Sequence, residues 1–204
     1  MGENHGFPFA ARRVSKIVFF NKPYGVLSQF TPEGRWRALA EFILLKGVYV
    51  AGRLDADSEG LLILTDDGKL QAQIADPKHK LEKTYWAQVE GIPDEAALDR
   101  LRAGIALADF TARPAGVRLI DEPAGLWPRD PPVRYRAAIP TSWLEIRISE
   151  GKNRQVRRMT AAIGYPVLRL IRAAIGAATL EGLAPGAWRK IDGSYKDLQG
   201  SFDE

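Results

Sequence analysis

The residues best suited to chemistry lie between two glycines. Gly52-Arg53-Leu54-Asp55-Ala56-Asp57-Ser58-Glu59-Gly60 sets an arginine, two aspartates, a serine and a glutamate directly before the apolar run Leu61–Leu64. Polar groups gathered in a loop on a rigid scaffold are where function concentrates. A plain turn whose Asx side chains bond local backbone reads the same way. Asp55 and Asp57 also project alike from an extended chain, the spacing of a metal pair, but the only histidines, His5 and His79, are remote in sequence. A second cluster, Glu82-Lys83-Thr84-Tyr85-Trp86, puts aromatics at the head of a strand-like run, where Tyr85 is either a base platform or a core-edge residue. A third, Glu150-Gly151-Lys152-Asn153-Arg154-Gln155-Val156-Arg157-Arg158-Met159, has a Gly-Lys step without the spacing of a nucleotide-hydrolysing phosphate loop. Its first cations sit at an expected helix start, where backbone N–H groups favour phosphate.

The charge distribution narrows the partner. The 204 residues carry 29 Lys and Arg against 25 Asp and Glu, a net charge of +4. Residues 147–172 hold seven cations (Arg147, Lys152, Arg154, Arg157, Arg158, Arg169, Arg172) against the single anion Glu150, and Arg12, Arg13 and Lys16 form a smaller cluster. Arginine suits planar recognition of phosphate. The tract reads as a polyanion footprint or, more plainly, as a solvated cationic face. The sequence has no cysteine, which excludes thiolate metal sites, iron–sulfur clusters, a catalytic thiol and disulfides. Uninterrupted apolar runs reach four residues, whereas a helical membrane span needs about 20. With no apolar signal core in Met1–Gly6, a cytoplasmic protein without membrane attachment is expected.

These clusters need elements to hold them. Strand signals cover Lys16–Phe20, Val48–Ala51, Leu61–Thr65, Lys83–Glu90, Trp143–Ser149, Val167–Ile171 and Trp188–Ile191. Helical spacing covers Trp36–Leu45, a segment opened by Asp66-Asp67 with Leu70 and Ile74, Asp94–Ala103, and Asn153–Ile163 with Asn153 as N-cap. The proline-rich stretch 121–141 reads as a long ordered loop. Strands dominate and helices interrupt them irregularly, which predicts an α+β fold around a largely antiparallel mixed sheet. Residues 1–15 are expected to form a loose basic arm and 16–204 one two-lobed catalytic domain.

The motifs in combination resemble the RNA pseudouridine synthases, in the branch that modifies bacterial ribosomal RNA. The resemblance rests on Asn21-Lys22-Pro23-x-Gly-Val-Leu, Gly-Arg-Leu-Asp-x-Asp-Ser-x-Gly-Leu-Leu-Ile-Leu-Thr, Lys83-Thr84-Tyr85 and Glu-Gly-Lys-x-x-Gln-Val-Arg-Arg-Met, in the family's order across residues 17–191. Trp127-Pro128-Arg129 and Ile139–Leu144 are similar to members that act on the large subunit. The resemblance implies isomerisation of uridine to pseudouridine in 23S rRNA, free or in an assembly intermediate, by a monomer without cofactor or metal. It gives Asp55 as the nucleophile, Arg157 as the guanidinium that aims it and holds it ionised, and Tyr85 as the base-stacking proton acceptor. Arg53 would reach into the space the flipped base vacates. Lys22, Lys152, Arg154, Arg158, Arg169 and Arg172 are the candidate RNA contacts. Many relatives have histidine at the position of Arg154, and many carry an N-terminal RNA-binding domain that fifteen loose residues cannot supply. Rival readings are a non-catalytic rRNA-binding protein and a metal-dependent phosphodiesterase built on Asp55 and Asp57.

Overall fold

The computed structural model describes residues 14–76, 81–134 and 138–199. Arg12, Arg13, His5, His79 and residues 1–13 of the expected arm lie outside them. The sheet is built from β1 (Ser15–Lys22), β2 (Tyr49–Ala51), β3 (Glu59–Thr65), β4 (Lys83–Glu90), β7 (Gly116–Ile120), β8 (Thr141–Ile148), β9 (Val167–Ile175), β10 (Ala178–Thr179) and β11 (Trp188–Gly193). Two short strands, β5 (Ile105–Ala106) and β6 (Thr111–Ala112), pair separately. Helices α1 (Gly68–Ala75), α2 (Glu95–Arg102), α3 (Gln155–Ala162) and α4 (Lys196–Gln199) cover its faces. The architecture is α+β, as the sequence predicts.

The strand order is β11-β1-β3-β9-β4-β8-β7, with β2 added on β3 and β10 on β9. Every pairing is antiparallel except one. β3 and β9 meet in parallel over Glu59↔Ile171 and Gly60↔Arg172, a two-residue seam joining two antiparallel halves. All seven residues of β3 are buried, as expected of a strand covered on both faces. Alternate side chains feed two cores. Val18, Phe20, Leu62 and Leu64 join Leu144, Val156 and Met159 on one face, while Ile17, Phe19, Leu61 and Ile63 join Leu70, Ile74, Ile171 and Leu198 on the other.

Two local readings are corrected. The helix expected over Trp36–Leu45 is a single 3-10 turn, Leu39–Glu41. Its backbone is already engaged, because Leu27 N–H bonds Arg37 O, Arg37 N–H bonds Gly25 O and Leu39 N–H bonds Gln29 O. Those bonds hold the segment extended against residues 25–29, and 3.6-residue spacing cannot override them. At α3 the cap is Arg154 and not Asn153. Arg154 takes φ +48, the one non-glycine positive φ among the described residues, and the Gln155 side chain accepts from Lys152 N–H. Strand β7 carries no clear alternation and is legible only from its partner β8.

Gly60 makes the seam possible. A Cβ there would sit 2.4 Å from Arg172 O and 2.8 Å from Arg172 N, and φ is +104. Gly47 has φ +77 but open space around it. Gly60→Ala should therefore destabilise the fold by about 3 kcal/mol or more, against about 1 kcal/mol for Gly47→Ala, in urea unfolding. Equal losses would show that the seam tolerates a side chain.

Candidate active site

The loop between β2 and β3 is fixed through its backbone. Five consecutive carbonyls each accept a hydrogen bond. Arg172 Nη1 donates to Arg53 O at 3.2 Å, Ser28 Oγ to Leu54 O at 2.6 Å, Ser58 N–H to Asp55 O at 3.1 Å, Gly25 N–H to Ala56 O at 2.8 Å, and Arg157 Nη2 to Asp57 O at 2.7 Å. Ser28 Oγ also accepts from Leu54 N–H at 3.0 Å, so one hydroxyl fixes both polar groups of the residue before Asp55. The donors come from the turn after β1, from β9 and from α3. Side-chain oxygens of the loop are thereby left for other partners.

Asp55 and Asp57 divide those partners unequally. Arg154 grips Asp57 with both nitrogens, at 3.0 and 2.8 Å, and reaches Asp55 Oδ2 at 3.4 Å. The Asp55 side chain is 38% exposed. At Asp57, burial pushes the carboxyl up, but the Arg154 hydrogen bonds and the charges of Arg157 and Arg154 outweigh it and hold it below the usual range. Arg157, expected against Asp55, instead donates to Asp57 O and to Ser58 Oγ at 3.1 Å, with Nε 3.6 Å from the Asp57 carboxylate. Arg154 therefore stands in direct contact with Asp55, where the motif match assigns Arg157.

Asp55 opens onto a cleft of about 1050 Å³, also lined by Arg53, Tyr85, Lys83, Lys152 and Arg172. Tyr85 projects from β4 and is 7% exposed, between Ile146 on β8 and Arg172 on β9. Two residues earlier on the same face, Lys83 donates to Leu81 O at 3.0 Å. Burial, with the nearby Arg172 charge, pushes its amine down to about 8. Among the described residues no three of His, Cys, Asp and Glu cluster as a metal site.

Several expected RNA contacts are not on the surface. Lys22 is fully buried and donates to Pro23 O and Val26 O. Arg169, 5% exposed, forms a two-point ion pair with buried Glu59 at 2.9 and 2.8 Å, and Trp127 Nε1 completes that carboxylate at 2.8 Å. Arg172, 3% exposed, serves Leu61 O and Arg53 O. Arg158 pairs with Asp109 and lies over the Phe110 ring. Lys22 braces its own turn, and the three arginines brace the fold because their partners, distant in sequence, converge only in the folded chain. Lys152 and Arg53 remain exposed on the cleft with no carboxylate within 4.0 Å among the described residues, although the Lys152 charge is felt by Asp109. Ser28 and Trp36, which also line the cleft, carried no signal beyond a turn residue and an apolar helix position.

A family model for RNA pseudouridylate synthase matches residues 16–162, which include the Asp55 loop, Tyr85 and all of α3. The chain belongs to the RNA pseudouridylate synthase family. A relative from Vibrio vulnificus, named ribosomal large subunit pseudouridine synthase E, is 60% identical over 86% of this chain and 75% of its own length. A namesake from Xanthomonas campestris is 58% identical over 86% of this chain and 95% of its own. A crystal structure titled pseudouridylate synthase superimposes with TM-score 0.73 at 28% identity, over 91% of this chain and 73% of that one. This pseudouridine synthase is accordingly an isomerase with the family's mixed sheet.

The buried Lys22 gives a pH signature. Desolvation, opposed by Glu59 and aided by Arg172, brings its pKa down from 10.5 to about 7, with Asp57 and Asp55 acting weakly in the other direction. A lysine with a depressed folded pKa leaves the unfolded chain binding more protons between the two values. Stability from this group should therefore rise with pH from about 7 to 10.5 and stay flat below 7. Lys22→Met should reduce that rise in urea titrations at pH 7, 8.5 and 10. An unchanged slope would show that Lys22 is protonated in the fold.

Proposed function

We propose that the chain converts uridine to pseudouridine in the RNA of the large ribosomal subunit, with Asp55 as nucleophile. The carrying observation is the loop: five tethered carbonyls aim a carboxylate into a wide cleft while committing its oxygens to one 3.4 Å contact. The large-subunit substrate is supported by two relatives of 58–60% identity named for it.

Isomerisation breaks the N1–C1′ bond, rotates the uracil and rejoins it through C5. A carboxylate can add covalently and leave again without a redox or metal partner. A paired uridine is inaccessible, so the base must be flipped out, at about a few kcal/mol. Tyr85 offers the extruded uracil an aromatic face on a strand paired on both sides. Its hydroxyl relays the C5 proton to water once the new bond forms, giving up its own proton as it takes that one. Arg154 orients the Asp55 carboxylate and Arg157 holds the loop beneath it. Arg53 enters the stack in place of the base, and Lys152 meets the phosphates. The free cleft is open, so the RNA itself completes the exclusion of water from Asp55.

Asp55→Asn should abolish tritium release from 5-tritiated uridine in 23S rRNA while RNA binding survives. Asp57→Asn should lose about tenfold, because it weakens the Arg154 grip and keeps the nucleophile. Equal loss in both would favour a paired-carboxylate reaction. Tyr85→Phe keeps ring and volume but deletes the hydroxyl, and should slow single turnover by about 10²–10⁴-fold. A wild-type rate would leave Tyr85 as a stacking platform alone.

A further inference from the structure

Folding neutralises most of the cationic tract, so the cations still available to RNA deserve to be located. Arg147, Arg154, Arg157, Arg158 and Arg169 each have a carboxylate within 4.0 Å. Four guanidinium and ammonium groups at or beside the cleft that are not buried have none among the described residues; Lys83 and Arg172, which also line it, are buried on backbone carbonyls. Two of them, Arg53 and Lys152, flank Asp55. The other two, Arg35 and Arg129, are stacked on aromatic rings. Arg35 lies 4.5 Å from the Trp36 ring centroid, Trp36 meets Tyr24 edge-on at 6.4 Å and 76°, and Arg129 lies 4.5 Å from the Tyr24 centroid. Tyr24, Arg35 and Trp36 line the same cleft as Asp55.

We propose that this Arg35–Trp36–Tyr24–Arg129 ladder is a second base-binding site, taking an unstacked nucleotide of the substrate RNA next to the target uridine. Three features carry it. Trp36 and Tyr24 are only partly buried, so their rings retain accessible area instead of filling a core. The ladder is rigid: Trp36 N–H bonds Glu33 O, Arg37 pairs with Gly25 O, and Arg129 is held by Pro131 O, Pro132 O and Leu168 O. Gly25 also ties it to the catalytic loop, through its N–H bond to Ala56 O, and a Cβ at Gly25 would stand 3.8 Å from the Trp36 ring.

The chemistry follows from the parts. An aromatic face accepts any base, and an adjacent guanidinium without a carboxylate supplies stacking and a phosphate contact together. Extruding one uridine from a helix unstacks its neighbour too. A platform coupled to the loop through one backbone hydrogen bond can hold that neighbour and fix the register of the target over Asp55. Positioning of the target uridine by an unstacked neighbour of any base identity is the consequence.

The proposal rests on the cleft being the RNA site, and the test separates the two. With 5-tritiated 23S rRNA, Trp36→Ala should raise KM about tenfold while kcat falls less than threefold, and Trp36→Phe should recover most of the KM. Arg35→Gln should raise KM less than Trp36→Ala does. Tryptophan fluorescence of the whole protein should be quenched by 23S rRNA, with part of the quenching lost in Trp36→Phe. Melting temperatures would accompany each variant, and Trp36→Phe serves if Trp36→Ala does not fold. An unchanged KM in Trp36→Ala, or full quenching in Trp36→Phe, would overturn the ladder and leave the Asp55 reading intact. Tritium release surviving in Asp55→Asn would overturn that reading instead.

Discussion

Backbone tethering of the loop from Arg53 to Asp57 is the constraint to which the rest of the molecule is arranged. A nucleophilic carboxylate has to be aimed without having its oxygens consumed, and holding the chain by its carbonyls achieves that. The five donors reach in from the turn after β1, from β9, from α3 and from the loop's own Ser58. The turn after β1, the loop and the α3–β9 segment lie far apart in sequence, so the site exists only once the sheet has assembled. Preorganisation of this kind lets a reacting group sit in geometry that loop flexibility would otherwise blur.

The β3–β9 seam brings those donors together. Glu59 and Gly60 occupy it side by side, one charged and one without a side chain. Glu59 is 1% exposed and held by Arg169 and Trp127, so removing Arg169 would strand a buried charge at about 3–5 kcal/mol. Gly60 lets the Arg172 backbone approach, and the Arg172 side chain then turns back to hold Arg53 O and Leu61 O. The Trp127 bond also ties the proline-rich stretch to the seam, which explains why a segment without regular structure is ordered there.

The same network changes how the protein attracts RNA. A tract with seven cations spends most of them on Glu59, Asp57, Asp109 and backbone carbonyls. What remains around the cleft is a small set of exposed groups, some of them stacked on aromatic rings. Attraction of this sort is short in range and geometric, unlike the long-range pull of a bare basic face.

The sequence by itself determined the family, the fold class, most of the strands, and Asp55 and Tyr85 as the residues to test. Their motifs are local: a loop of polar residues against an apolar strand, an aromatic at a strand head, arginines on one helical face. It could not decide the partner of each arginine. Arg154 and Arg157 lie three apart, at the cap and in the first turn of α3, and only the fold puts one at Asp55 and the other at the Asp57 carbonyl. Lys22, Arg169 and Arg172 look like phosphate contacts because charge is visible in sequence and burial is not. The misread helix at Trp36–Leu45 has the same origin, since the hydrogen bonds that hold it extended come from residues 25–29. Tertiary structure decided these points because each depends on a contact between segments that spacing along the chain does not encode.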